Sequence, residues 1–251
     1  MSLPIFTYLF CINLVFGLSH CLNSFGDGPL PRYFDWRDHG AVSPVKNQGG
    51  CEACWAFSAV ACIESHLKIH LSSEEILSEQ FLIDCAPGNI GCNSTSVLKT
   101  FGTIVNDIGG VLRDLDYKPY EAKQKKCSWD PLKRPIPVVG YRRVKPDEQI
   151  MALYVVNVGP LSAAINSASM AKYNGGIDEP TDKLCSPRQT NHAVLIVGFS
   201  FYEDPQSKTY VPYWIIKNSW GTSWGDNGYY YLVRGRNACG IATDVSYPYV
   251  M

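Results

Sequence analysis

The 251-residue sequence contains no apolar run that reaches the roughly 20 residues needed to cross a bilayer, which excludes a membrane-spanning helix. Nor does it contain a basic stripe. Its 22 basic residues are mixed along the chain with 23 acidic ones, for a net charge of −1, so the electrostatic footprint of a nucleic-acid binder is missing. There is no internal repeat and no low-complexity tract, which leaves an ordinary globular fold. Metal-ligand spacing is absent too. Cys51-x-x-Cys54 has no second pair at zinc-site spacing, and no βαβ pattern surrounds it to make a thioredoxin-like redox pair. What remains, with 46% hydrophobic residues, is enough chain for one large domain or two small ones sharing a core.

Cysteine is the residue present in excess. Ten cysteines spread along the chain suggest disulfides and an oxidising compartment. The N-terminus points the same way. Residues 5–18 are uncharged and mostly apolar, and Gly17 and Ser19 suit a signal-peptidase cut, so residues 1–19 are expected to be a signal peptide. No Lys or Arg precedes the run, and a buried N-terminal helix is the alternative. Residues 20–29 read as a short Gly/Pro/Ser-rich linker, and a folded domain is expected over 30–251.

Within that domain the apolar pattern predicts a buried helix over 54–70, a second over 72–85 and a third over 95–108 that stops at Gly109-Gly110. The second is read from Ser72 and Glu75, which have capping-box spacing. After a Pro-rich stretch at 131–137 one more helix is expected over 146–158. Strands follow over 161–165, 193–201, 213–217 and 229–233. Helices first and strands later give an α+β class with two unlike halves, about 30–135 helical and 136–251 β-rich.

The strongest chemical signal is Gln48-Gly49-Gly50-Cys51-Glu52-Ala53-Cys54-Trp55. Cys54 falls at the start of a predicted helix, where free amides and the helix dipole favour the reactive thiolate. A thiol nucleophile needs a base. Of five histidines only His192 has a suitable setting, at the mouth of the apolar strand Asn191-His192-Ala193-Val194-Leu195-Ile196-Val197-Gly198. Asn218, in Lys217-Asn218-Ser219-Trp220-Gly221, carries a side-chain oxygen suited to accept a hydrogen bond from the imidazole and fix its tautomer.

Together these motifs resemble the papain family of cysteine peptidases, nearest its cathepsin L-like branch. Pro31-Arg32-Tyr33-Phe34-Asp35-Trp36-Arg37 is similar to that family's mature N-terminus. Cys239-Gly240-Ile241-Ala242 and Tyr247-Pro248 are similar to its C-terminal stretch. The resemblance implies a helical half and a β-barrel-like half with the active-site cleft between them. It implies endopeptidase activity through a Cys54 thioester, with His192 as base, Asn218 orienting it and Trp220 shielding their contact. Gln48 would serve the oxyanion hole. It implies the pairs Cys51–Cys92, Cys85–Cys127 and Cys185–Cys239, with Cys62 a small buried residue. It further implies no cofactor and no metal, and a secreted or lysosomal monomer. Protein or peptide substrates and cystatin-type protein inhibitors would be its partners.

The sequence departs from the family in three places. Glu52 and Ala53 stand where Gly and Ser are usual, and a carboxylate beside the nucleophile is expected to raise the thiol pKa or to favour a basic group in the neighbouring subsite. The family's Cys-Asn-Gly-Gly wall is Cys92-Asn93-Ser94-Thr95, where Thr95 narrows the approach and Asn93 becomes a glycosylation sequon. The family's long pro-segment has no counterpart between residues 20 and 29, so the chain either folds without one or comes from a longer sequence. These departures keep open an alternative, a papain-fold binding protein with little or no turnover. For specificity the resemblance places Val97, Ala164 and Thr190 around the pocket for the residue two before the scissile bond. Asp244 would form its floor, implying acceptance of Phe or Leu and of Arg.

Overall fold

The computed structural model describes residues 30–251 apart from Asn89, Asp204 and Ser207. The expected signal peptide and linker, with Cys11 and Cys21, lie outside the described residues. In chain order come β1 (Phe34–Asp35), α1 (Cys54–Leu71), α2 (Glu79–Cys85), α3 (Val97–Thr103) and β2 (Gly110–Val111). These are followed by β3 (Ile136–Arg143), α4 (Glu148–Asn157), β4 (Leu161–Ile165) and β5 (Ile177–Asp178). Last come β6 (His192–Glu203), β7 (Tyr210–Lys217), β8 (Tyr229–Val233) and β9 (Val245–Val250).

Helix α1 is the spine of the fold. Its first fourteen residues, Cys54 to Leu67, are all buried, as its all-round apolar sequence requires. It ends at Ser72, held in the left-handed region at φ 55°, whose amide returns to Leu67 and Lys68 carbonyls. Ser72 therefore closes α1 and does not open the next helix, which corrects the expected start of α2. Glu75 is drawn instead into a two-point pair with Arg113 at 2.8 and 2.9 Å, Leu77 bridges to the same Arg113, and the chain forms no helix until after Ser78. There the Ser78 hydroxyl accepts from the Phe81 amide at 3.1 Å and starts α2. Helix α3 begins two residues later than expected. It is capped by the Ser96 hydroxyl, which accepts from the Lys99 amide at 3.1 Å, and it widens into a π-turn over Ile104–Ile108 that closes at Gly109 with φ 84°.

The nine-stranded sheet runs β2-β3-β9-β4-β6-β7-β8-β5, with β1 added to β6. All pairs are antiparallel except β5 with β8. The barrel-like closure expected of the second half does not occur: β2 and β5 end the path without pairing to each other. Each is two residues long, and so short an edge offers almost no ladder on which to close. Strands β4 and β6 pack on α1. The Ser58 hydroxyl on α1 donates to the Val194 carbonyl at 2.7 Å and meets the Ser162 hydroxyl at 2.5 Å. This seam locks the register of helix and sheet just below the point where Cys54 and His192 begin their elements.

Disulfides Cys51–Cys92 and Cys85–Cys127 tie the helical half, and Cys185–Cys239 ties the β-rich half. Cys54 and Cys62 are free and buried.

Candidate active site

Cys54 is the first residue of α1, and its sulfur is met by the amides of Trp55, Cys54 itself and Ala193. The last of these belongs to β6, so the thiol lies against the strand that starts one residue earlier with His192. His192 pairs with Ile165 across the sheet and is 7% exposed. Its Nε2 lies 2.8 Å from Asn218 Oδ1. Because a carbonyl oxygen only accepts, Nε2 carries the proton and Nδ1 is left as the free base. The Trp220 ring lies 4.9 Å from the imidazole centroid, tilted by 34°, and Trp224 packs edge-on behind it at 5.0 Å. Trp220 and Trp224 thus form an aromatic stack beside His192. Among the described residues the buried Asn218 amide nitrogen has no partner, so the side chain is held by its oxygen.

Gln48 is fixed from three sides. Its Oε1 accepts from Ser219 Oγ at 2.6 Å, its Nε2 donates to the Cys51 carbonyl at 2.9 Å, and Tyr120 OH donates to its carbonyl at 2.6 Å. Among the described residues the second hydrogen of the Nε2 amide meets no acceptor.

Burial disfavours either charge alone. It pushes the Cys54 thiol up, with the Glu52 carboxylate acting in the same direction, while the three amides pull it down. It drives His192 down to about 4, against the Asn218 bond.

Beneath them lies a buried ion cluster. Lys217, next to Asn218, donates to Ser43 Oγ at 3.0 Å, and Ser43 in turn donates to Glu64. Lys46 reaches Glu64 at 3.1 Å and Glu79 at 2.8 Å. Glu64 also accepts from the Leu77 amide at 2.9 Å. Burial lifts Glu79 to about 7 and lowers Lys217 to about 8. The cluster anchors the end of β7 from which Asn218 projects.

Cys54 and His192 open onto a cleft of about 320 Å³. Thr95, Ala164, Thr190 and Asp244 line it. Val97 does not. As the first residue of α3 it turns inward and is 2% exposed, and Ser94 and Ser96 stand on that wall instead. Asn191 also lines the cleft. None of these three was singled out from sequence, since short polar residues in a loop carry no periodic signal. Asp244 Oδ2 accepts from the Val97 amide at 3.1 Å, while its Oδ1 is buried without a partner. Glu52 and Asn93 are exposed at the rim. Among the described residues no group of three His, Cys, Asp or Glu side chains is arranged to hold a metal.

The family model for papain family cysteine proteases matches residues 30–249. The chain belongs to the papain family. Members similar to it include cathepsin F of Drosophila melanogaster, 39% identical over 216 residues, which are 86% of this chain and 35% of that protein. Procathepsin L of Mus musculus is 38% identical over 227 residues, covering 88% of this chain and 66% of its own length. Among solved structures, the bromelain protease of Ananas comosus in complex with the E64 inhibitor superposes with a TM-score of 0.76 at 37% identity, covering 88% of this chain and 100% of that one. This papain-family chain thus spans only part, from about a third to two thirds, of the curated relatives it matches.

Proposed function

We propose that this protein is a cysteine endopeptidase that hydrolyses peptide bonds through a thioester on Cys54. The observation that carries the reading is the 2.8 Å His192 Nε2–Asn218 Oδ1 bond, which leaves Nδ1 free on the same cleft as Cys54, the one free thiol that lines it among the described residues. The proton of Cys54 passes to Nδ1, and the thiolate adds to the substrate carbonyl. The resulting oxyanion takes hydrogen bonds from the Cys54 amide and Gln48 Nε2. Each such donor typically supplies about 3–4 kcal/mol of transition-state stabilisation. The imidazolium then protonates the leaving amine, the C–N bond breaks, and the acyl group remains as a thioester. His192 next takes a proton from water, whose oxygen attacks the thioester, and returns it to the departing Cys54 sulfur.

Protein or peptide substrates follow from an open cleft, and cystatin-type inhibitors are expected to close it. We place the protein, acting as a monomer, in a secreted or lysosomal compartment. Three disulfides support an oxidising route. Asn93 is exposed on the cleft rim within its sequon and is read as a glycan acceptor. For the residue two before the scissile bond, the unpartnered Asp244 Oδ1 and the small side chain of Ala164 support acceptance of Arg as well as Phe or Leu.

The test is cleavage of a fluorogenic peptide by Cys54→Ala and His192→Ala, each checked for folding by circular dichroism. Both should be inactive while folded, and Asn218→Ala, which only loses an orienting bond, should retain weak activity. Wild-type-like turnover by folded Cys54→Ala would overturn the assignment.

A further inference from the structure

Among the described residues no Lys or Arg side chain lines the cleft that holds Cys54, and the one acidic lining residue, Asp244, keeps an oxygen without a partner. A second carboxylate stands at the lip. Glu52 lies two residues before Cys54, is exposed, and accepts from Ser94 Oγ at 3.4 Å. Ser94 belongs to the opposing wall, and the Cys51–Cys92 disulfide ties the two segments together immediately beside this contact. Glu52 thus stands at the junction of the nucleophile strip and the 94–96 wall, in one long contact with Ser94 and otherwise open to solvent. Among the described residues it forms no ion pair, whereas Asp35, Glu64, Glu75, Glu79 and Glu121 all do.

An anion left unpaired there carries a cost, because its field opposes the thiolate of Cys54. A cation supplied by the substrate removes that cost and gains a charge pair. The substrate residue in a position to supply it is the one whose carbonyl is attacked. That carbonyl must sit between Cys54 and Gln48, so its owner lies along the 51–54 strip. The leaving amine goes toward His192 on the β-rich wall, and the Glu52–Ser94 lip borders the other side of the strip along which the acylating residue lies.

We propose that Glu52 is a specificity residue selecting Arg or Lys at the substrate position whose carbonyl Cys54 attacks. Bound there, the cation both pairs with Glu52 and cancels its opposition to the thiolate. The inference rests on the reading of Cys54 as the acylated nucleophile, and it makes peptides with a basic residue directly before the scissile bond the favoured class.

The experiment uses two fluorogenic peptides identical except for Arg or citrulline at that position, citrulline having nearly the same shape without the charge. They are assayed with wild type and Glu52→Gln at low and moderate salt. Glu52 is solvent-exposed, so screening keeps the effect modest. The expected kcat/KM ratio of Arg to citrulline is about three- to fivefold in wild type, falling with salt, and near one in Glu52→Gln. General effects of the substitution on the thiol act on both peptides and cancel in the ratio. An equal ratio in the two proteins would refute the role of Glu52 while leaving the peptidase reading intact. Failure of wild type to cleave either peptide, together with failure of Cys54 to react with an epoxide, would overturn both.

Discussion

His66 offers a quantitative test of how the core responds to acid. It sits on α1, 1% exposed, with Nε2 3.0 Å from the Pro160 carbonyl and its ring stacked 5.8 Å from that of Tyr247. The only other titratable ring on the same face of α1 is His70, 5.3 Å away, itself shifted downward by burial. Burial lowers His66 from 6.5 to about 4, with the His70 ring acting in the same direction and the Pro160 bond opposing. Between these values the unfolded chain binds a proton that the folded one refuses. Stability is therefore complete above pH 6.5 and declines as pH falls toward 4. A shift of that size corresponds to about 3 kcal/mol at 1.36 kcal/mol per pKa unit. His66→Phe keeps a ring against Tyr247 and removes the titration. The Pro160 carbonyl keeps a donor in Cys62 Sγ at 3.3 Å, so the substitution should cost only about 1 kcal/mol at pH 7. Urea unfolding of both proteins at pH 7 and pH 4 reads the difference. The stability lost by wild type over that interval should exceed the loss in His66→Phe by about 3 kcal/mol. Equal losses would mean that His66 is protonated in the folded protein and that the reasoning from burial is wrong.

Asp244→Ala should reduce cleavage of peptides carrying Arg two residues before the scissile bond while sparing those with Phe there. A charge-assisted contact of about 1.5–3 kcal/mol corresponds to a change of one to two orders of magnitude in the ratio of their kcat/KM values, and an unchanged ratio would remove Asp244 from the pocket. Glu52→Gly should speed alkylation of Cys54 by a neutral thiol reagent at mildly acidic pH, because a negative charge that raises the thiol is gone; an unaltered pH profile would show that its carboxylate does not act on the sulfur. Endoglycosidase treatment of protein secreted from eukaryotic cells should lower its mass, and Asn93→Gln should abolish that change.

The sequence was most readable where one physical demand acted alone. Strands β4 and β8 match their expected bounds: β4 is one continuous buried run, and β8 is a short Tyr/Leu/Val run that is buried or half-buried throughout. The reach of α1 was plain from its unbroken apolar character. Strands β3 and β9 were missed because each contains a proline, Pro137 and Pro248, and β3 alternates irregularly between half-buried and exposed positions. The start of α2 was misread because the Ser72–Glu75 spacing is local, whereas Arg113, 38 residues further on, claims Glu75. At the site, Cys54, His192, Asn218 and Gln48 stood out through their motifs. Ser94, Ser96 and Asn191 did not, and the inward turn of Val97 depends on where α3 starts.

The central claim is an activated thiol at Cys54. Its most direct test is incubation of the purified protein with a peptidyl epoxide, followed by intact mass measurement and mapping of the modified residue. The account predicts one adduct per molecule, on Cys54 and not on the buried Cys62, lost in Cys54→Ala and strongly slowed in His192→Ala. Labelling of Cys54 at the same rate with and without His192, or no labelling of the folded protein at all, would contradict it.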